Sequence, residues 1–505
     1  MSEAPPPQDR FSSRFALLMA ALGMAIGAGN IWRFPRIMGK FEDGGTFLIP
    51  WAIFLFSWSI PLLIVETAIG RRTRLGVLGS MRALMGRHAW IGSFVALCTI
   101  GIMAYYAVIA GWCGTYVVES LRGAAGGYDY AGAVEHFTEV GQGPVAVLAT
   151  VAAFLVAGFF VRRGLGRGVE LANKLLLPML FVLLVVLVVA GLTREGAGAG
   201  FAYMFRVDWA QLGSSPQPWL EALSQSAWST GAGWGLLLVL SVGATGRSDS
   251  VGDAVVTGLG NNLASLLAAS ATIPAVFALA PIVAPDRTVL EVLQDNGPGN
   301  TGMAMIWLPR LFQQVGAAGP WLSAAFFLAL TFAATTSLIA MVELGTRTFM
   351  DLGWTRGRAI VACLVVGLAW GAPSALSLDF LANQDWVWGL GLMVSGVLFS
   401  VALAFLGFER FRTGWLPGRR GGPALGVWFT WVLALLVPLQ FVLLLGWWFW
   451  QTASGHWAEE QWSPLETYSV GTCVIQWALA FLLLWLIQRF GPRRAPADGT
   501  GTPTG

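Results

Sequence analysis

Charge is what this sequence has least of. Only 11% of its 505 residues are Asp, Glu, Lys or Arg, against roughly 25% in a soluble domain. With 56% hydrophobic residues and a mean hydropathy of +0.67, this deficit excludes an ordinary water-soluble protein. Histidine is scarce too, at three residues. No histidine cluster and no nucleophile–base pair falls in an apolar stretch, so the chain does not read as an enzyme. Cys98, Cys113, Cys363 and Cys473 all lie inside apolar stretches without metal-ligand spacing. That predicts free thiols and excludes a disulfide framework. The opening MSEAPPPQDR lacks the apolar core of a cleavable signal peptide.

What the sequence has instead is long apolar runs. A transmembrane helix needs roughly 20 mostly apolar residues. Twelve segments qualify, near 14–37, 45–69, 88–121, 143–161, 168–192, 218–243, 253–283, 320–349, 357–373, 385–408, 424–449 and 464–488. Arginines recur in every second connection: Arg71, Arg72, Arg74, Arg82 and Arg87, then Arg162, Arg163 and Arg167, then Arg356 and Arg358. Arg410, Arg412, Arg419 and Arg420 continue the pattern, and Arg489, Arg493 and Arg494 close it. The opposite connections carry acids such as Glu119, Asp129, Glu459 and Glu460. The positive-inside rule then predicts a multi-pass protein of the cell (inner) membrane with both termini cytoplasmic. A topology signal explains the arginines, and no nucleic-acid partner is expected. Residues 1–13 read as a cytoplasmic segment and 489–505 as a disordered tail rich in Pro, Gly and Thr.

In hydrocarbon every backbone polar group needs an internal partner, so irregular backbone is tolerated only inside protein or along a cavity. Two segments invite irregularity. The first holds Gly23-Met24-Ala25-Ile26-Gly27-Ala28-Gly29-Asn30 and the sixth holds Ser229-Thr230-Gly231-Ala232-Gly233-Trp234-Gly235. Interrupted helices in corresponding places point to a transport site between two repeats. Close helix packing through small residues is the alternative. A broken helix offers N–H groups to a carboxylate and carbonyls to a small hard cation. Asn30, Ser229, Asn261, Thr336 and Ser337 could add oxygens, although buried Ser and Thr also bond back to their own helix.

The motifs carry a resemblance. GAGNIWRFP (27–35), Gly44-Gly45, IPLLIVETAIGR (60–71), GVELANKLLLP (168–178), SQSAWSTGAGWG (224–235), NNLAS (261–265) and FAATTSLIA (332–340) follow in order. Over Arg14 to Phe411 the chain resembles the neurotransmitter:sodium symporters. The resemblance implies an all-α membrane protein of twelve transmembrane helices. It further implies a LeuT-like 5+5 inverted repeat (14–192 and 218–411), discontinuous helices 1 and 6, and two more helices over 424–488. Its implied activity is sodium-coupled import of a neutral amino acid by alternating access. Uptake of a small osmolyte such as taurine, β-alanine or a betaine, or a non-transporting amino-acid receptor, remains open. A monomer or weak oligomer is expected.

Laid on these residues, the resemblance implies two sodium ions. One would use Ala25, Asn30, Ser229, Asn261 and the substrate carboxylate. The other would use Gly23, Ile26 and Ala333 carbonyls with Thr336 and Ser337. The substrate carboxylate would meet Ala28, Gly29 and Tyr106, and the amino group Ala25, Trp228 and Ser229. Ile102, Gly231, Trp234, Ala340 and Met341 would surround the side chain. Arg33 and Asp385 would form the extracellular gate above the lid of Tyr106 and Trp228. Glu66 would hold the freed backbone of span 6, Gly168 and Pro178 would let span 5 unwind or merely kink, and Asp351 would serve the cytoplasmic gate.

The chain also departs from the family pattern. Trp51 replaces a tyrosine that helps hold chloride together with positions that are here Gln225, Ser229 and Ser265, so chloride dependence stays open. Arg10 directly precedes Phe11, where an arginine three residues before a tryptophan is usual, so the partner of Asp351 is undefined. Glu343 stands where an uncharged residue is expected; it either faces the cytoplasmic mouth or titrates. Gly27 takes the place of the aspartate with which monoamine carriers pair an amine, which favours a substrate carrying its own carboxylate.

Overall fold

A computed structural model describes residues 9–246, 249–416, 425–456 and 458–490. The expected tail from 491 onward lies outside them, as do the first eight residues and Arg419 and Arg420. All elements among the described residues are helices, the outcome demanded where backbone groups find no water.

Each of the twelve apolar segments is helical. They are α1 (Arg14–Ala25) and α2 (Gly29–Met38), α3 (Gly45–Thr73), α4 (Trp90–Leu121), α5 (Pro144–Arg162) and α6 (Leu165–Leu192). Then come α7 (Gln217–Thr230) and α8 (Leu236–Ser241), α9 (Ser250–Val283), α10 (Gly319–Asp351), α11 (Arg356–Leu376), α12 (Leu378–Leu406), α13 (Trp428–Ala453) and α14 (Val470–Phe490). Among the described residues, nine helices are long and apolar enough to cross a membrane. The α1–α2 pair, bent by 51°, makes a tenth if counted as one span. The α7–α8 pair is shorter still, at 14 and 6 residues.

Both breaks fall where the glycines cluster. Between α1 and α2, Ile26 leaves helical geometry at φ −79°, ψ 82°. Between α7 and α8, Gly231, Gly233 and Gly235 all take positive φ, at 71°, 88° and 78°, a region that costs an L side chain roughly 1–2 kcal/mol. Gly233 is also hemmed in, since a Cβ there would stand 2.6 Å from the Gly396 Cα.

Burial follows the same logic. In α4 94% of the most apolar window is buried, while in α6 and α13 only 33% and 28% are. α4 and α10 therefore lie at the centre, and α6 and α13 present Leu175, Val182, Leu439 and Val442 outward. Trp209, Trp321, Trp431 and Trp462 are among the most exposed side chains, as suits indole at an interface with lipid. The four cysteines are unpaired and buried.

Candidate functional site at the two helix breaks

The broken backbone of α7–α8 is held by one carboxylate. Glu66 of α3 is fully buried and accepts from the amides of Gly233 at 2.7 Å, Leu237 at 3.1 Å and Leu238 at 3.3 Å. These are the donors a helix start leaves without partners. A carboxylate with several N–H donors satisfies them and is itself satisfied. Ser395 of α12 donates to the Gly233 carbonyl at 2.7 Å, and Thr99 of α4 donates to the Trp234 carbonyl at 2.7 Å.

The α1–α2 break is held by side chains too. Asn30 Oδ1 accepts from the Gly27 amide at 3.0 Å. The Ala28 amide donates to the Tyr106 hydroxyl at 3.1 Å. Asn30 Nδ2 then donates to Asn261 Oδ1 at 2.7 Å and to Ser265 Oγ at 2.8 Å. Asn261 Nδ2 donates to Ser229 Oγ at 3.1 Å. Asn30, Ser229, Asn261 and Ser265 therefore form one buried hydrogen-bonded chain across α2, α7 and α9.

One point in this chain is polarised. The Asn261 amide position that faces Asn30 Nδ2 also lies 3.1 Å from the Ala25 carbonyl and 2.8 Å from the Ser229 carbonyl. With oxygen there, three oxygens face one another. Reversing the amide would relieve that but would set a nitrogen against Asn30 Nδ2, which can only donate. Asn30 is fixed because its oxygen is engaged by Gly27. Converging oxygens held apart from water suit a small hard cation.

A second oxygen cluster lies between α1 and α10. Ser337 Oγ donates to the Met24 carbonyl at 3.0 Å, and Thr336 Oγ1 donates to the Ala333 carbonyl at 3.0 Å. A Cβ on Gly23 would stand 3.3 Å from the Thr336 Cβ and 1.7 Å from Asn173 Oδ1. Glycine is required there by close approach.

Between the breaks is a cavity of about 90 Å³. Of the residues expected around a substrate, Ala25, Ala28, Gly29, Tyr106, Trp228, Ser229, Gly231, Trp234 and Met341 line it. Ile102 and Ala340 do not; both are buried in the core. On α4 the cavity takes Tyr105 and Ile109 beside Tyr106, and Ile109 stands about two turns beyond Ile102. The three- and four-residue spacing from Tyr106 allowed either neighbour. Met24, Leu236 and Leu381 were also missed as lining residues. A side chain on Gly27 would begin 2.7 Å from Ser337 Oγ and 3.0 Å from the Tyr106 hydroxyl, so nothing larger is accommodated without movement.

The cavity shares Arg33, Arg36, Trp228, Asn300 and Asp385 with a wider vestibule of about 530 Å³. Arg33 donates to Gln225 Oε1 at 2.8 Å and Ser224 Oγ at 2.9 Å and lies 5.6 Å from the Trp228 ring centre. Asp385 accepts from the Tyr105 hydroxyl at 3.1 Å. Arg33 and Asp385 thus line one passage, each bonded to a different neighbour. Trp228 packs edge-on against Trp234, with ring centres 5.4 Å apart. Trp51 packs at a tilt against Phe34, with ring centres 4.6 Å apart. Its Nε1 is buried with no partner among the described residues, whereas Gln225, Ser229 and Ser265 are all engaged in the bonds above.

At the opposite end Asp351 differs from its expected place in a gate. Its carboxylate accepts from the Gly76 and Gly79 amides at 3.1 and 2.7 Å and caps the short helix Val77–Met85. The acids that bridge helices here are Asp9 and Glu343. Glu343, fully buried, accepts from Arg347 Nε at 2.7 Å and Arg356 Nη2 at 2.5 Å. Asp9 Oδ1 lies 3.3 Å from Arg347 and 3.6 Å from Arg356. Glu343 is therefore ion-paired inside the protein rather than facing an open mouth. Beside it the Phe11 amide donates to the Gly243 carbonyl at 3.0 Å, and a Cβ on Gly243 would stand 2.9 Å from the Asp9 carbonyl oxygen. In α6, a Cβ on Gly168 would stand 1.8 Å from the Phe160 carbonyl oxygen of α5, so the glycine is a packing requirement. Pro178 lies inside α6.

Comparison with known proteins agrees with this geometry. Residues 8–126 and 133–484 match the model of the Sodium:neurotransmitter symporter family. An uncharacterized sodium-dependent transporter of Bacillus subtilis is 30% identical over 469 residues, covering 88% of this chain and 98% of the relative. The sodium-dependent serotonin transporter of Drosophila melanogaster is 25% identical over 532 residues, covering 96% of this chain and 83% of its own. Among solved structures, MhsT in complex with L-phenylalanine matches with a TM-score of 0.73 at 25% identity, over 86% of this chain and 98% of that one.

Proposed function

Because this chain belongs to the sodium:neurotransmitter symporter family, we propose that it couples the inward movement of sodium to import of a neutral amino acid by alternating access. The observation that carries this reading is the meeting of Asn261 Oδ1 with the Ala25 and Ser229 carbonyls beside the Ala28 amide and Tyr106 hydroxyl. Oxygens for a cation stand next to donors for a carboxylate. The substrate carboxylate would take Ala28, Gly29 and Tyr106 and share the ion with Ala25, Asn30, Ser229 and Asn261. Ion and substrate then strengthen each other's binding, which is the linkage a symporter requires.

The finer assignments rest on the same ground. Gly23, Ile26, Ala333, Thr336 and Ser337 would hold a second sodium and so tie α1 to α10. Gly27 leaves no room for an amine-pairing acid, and the solved relative holds L-phenylalanine; both favour an amino acid carrying its own carboxylate. The two repeats over 14–192 and 218–411 would move against each other around the breaks. Arg33 and Asp385 would close the vestibule, on the extracellular side, over Trp228. The cluster of Asp9, Glu343, Arg347 and Arg356 would close the cytoplasmic side, with Asp351 holding the Val77–Met85 helix beside it. The arginine-rich connections support a reading in which both termini lie in the cytoplasm.

The test is uptake into proteoliposomes of the twenty amino acids, taurine, β-alanine and betaine, driven by sodium and then by potassium. Sodium-dependent uptake of a neutral amino acid is the expected result, and sodium-independent uptake would overturn the coupling. Asn30→Ala and Thr336→Ala should each lower the apparent sodium affinity at least tenfold; unchanged affinity in both would mean the ions bind elsewhere. Replacing chloride by gluconate should leave uptake unaltered. Ser265 and Gln225 already have partners, and Trp51 packs against Phe34.

A further inference from the structure

Of the polar side chains between Gly168 and Pro178, Glu170 and Lys174 pair with each other, which leaves Asn173. Asn173 of α6 is 1% exposed. Its Nδ2 donates to the Val169 carbonyl at 2.8 Å, which fixes the amide, because a carbonyl can only accept. Its Oδ1 is buried and has no hydrogen-bond partner among the described residues. An uncompensated buried amide oxygen is expensive, on the order of 1–3 kcal/mol, so a function for it has to be sought. The oxygen lies against Gly23, a residue of the second oxygen cluster. A Cβ on Gly23 would stand 1.7 Å from it and 3.3 Å from the Thr336 Cβ. Asn173 Oδ1 thus packs against Gly23, with Thr336 near the same face of that glycine.

We propose that Asn173 Oδ1 is a ligand of the cation bound between Gly23, Ile26, Ala333, Thr336 and Ser337. This inference rests on the sodium sites proposed above. The five groups in that set are three carbonyls and two hydroxyls from α1 and α10. Asn173 adds a strong neutral dipole from a third helix, and oxygen donors of this kind suit a hard monovalent cation. Its place has a mechanical meaning. Asn173 lies midway between Gly168 and Pro178, the two points at which α6 is weakest. A cation held by Asn173 pins the middle of that stretch to α1 and α10. When the cation leaves, the pin is lost, and α6 is free to unwind between the glycine and the proline. Ion release and opening of α6 become one event.

The experiment is equilibrium binding of radioactive sodium to the purified full-length chain without substrate. The first site needs the substrate carboxylate, so this measurement reports the second site. Thr336→Ala is the control for the site and Asn173→Ala the test. The expected result is a rise of at least fivefold in the half-saturating sodium concentration for Asn173→Ala, with Asn173→Asp restoring binding to the wild-type level or tighter. A merely structural asparagine would not be rescued by a buried acid. If Thr336→Ala weakens binding and Asn173→Ala stays within twofold of wild type, the role of Asn173 is refuted while the sodium site stands. If Thr336→Ala has no effect, the site itself is refuted. If Asn173→Ala does not fold, Asn173→Ser, too short to reach the cluster, carries the same expectation and the same refutation.

Discussion

Glu66→Ala will remove sodium-dependent binding and lower the melting temperature by roughly 5–10 °C, the largest loss from any single side chain. The carboxylate is the acceptor for three backbone amides in a place water does not reach. Each amide left without an acceptor costs about 1–3 kcal/mol. The damage would not stay local. The amides belong to the break that positions Gly231, Ser229 and Trp234 around the cavity, so a collapsed α7–α8 connection removes site and stability together. Glu66→Gln should be intermediate. It keeps one acceptor oxygen for Gly233 but sets an N–H₂ group against the Leu237 and Leu238 donors. Thermal unfolding in detergent, followed alongside sodium-dependent binding, measures both effects. A Glu66→Ala protein that melts within 2 °C of wild type would show that the backbone finds other partners.

The second large effect is expected at the other end of the protein. Glu343→Gln leaves Arg347 and Arg356, 7% and 15% exposed, with only Asp9 between them. Breaking one side of a buried ion cluster costs about 3–5 kcal/mol, because the remaining charges stay desolvated. The loss falls on the contact joining α10 to α11, beside the Asp9 bridge from the segment before α1. Arrangements in which these elements separate therefore gain population. Uptake should fall at least tenfold, and substrate bound at equilibrium should fall much less. Glu343→Gln combined with Arg356→Gln removes one charge of each sign and should recover part of the stability. If the double variant loses as much stability as the two single variants added together, Glu343 and Arg356 are not coupled and the cluster is refuted.

Much of this arrangement was legible in the residues. Glycine at 27 and 29, and at 231, 233 and 235, predicts both breaks, because only glycine makes a turn cheap in the middle of an apolar run. Asn30, Ser229, Asn261, Thr336 and Ser337 were marked by their polarity at membrane depth. What was not legible depends on which distant surfaces meet. Asp351 was expected in a gate from the family resemblance, but the fold brings the amides of Gly76 and Gly79 to it from far away in sequence. Glu343 and Arg347 are one helical turn apart and could have been paired on spacing alone; Asp9 and Arg356 could not. Ile102 and Ile109 lie one turn either side of Tyr106 on one helix, and spacing alone did not choose between them. Asn173 was visible as one letter in GVELANKLLLP, but nothing local reveals that its oxygen is without a partner.

The burial of all four cysteines has a use at both mouths of the protein. A thiol introduced at His456, exposed beside the vestibule, would be the one sulfhydryl within reach of a water-borne maleimide. The same holds for a thiol at Arg10, exposed next to Asp9. His456→Cys and Arg10→Cys can therefore be made in the native background, without first stripping sulfur from the core. Labelled from one side of a sealed vesicle and then the other, the pair would report sidedness. Labelled with and without sodium, it would report which mouth the ion holds shut.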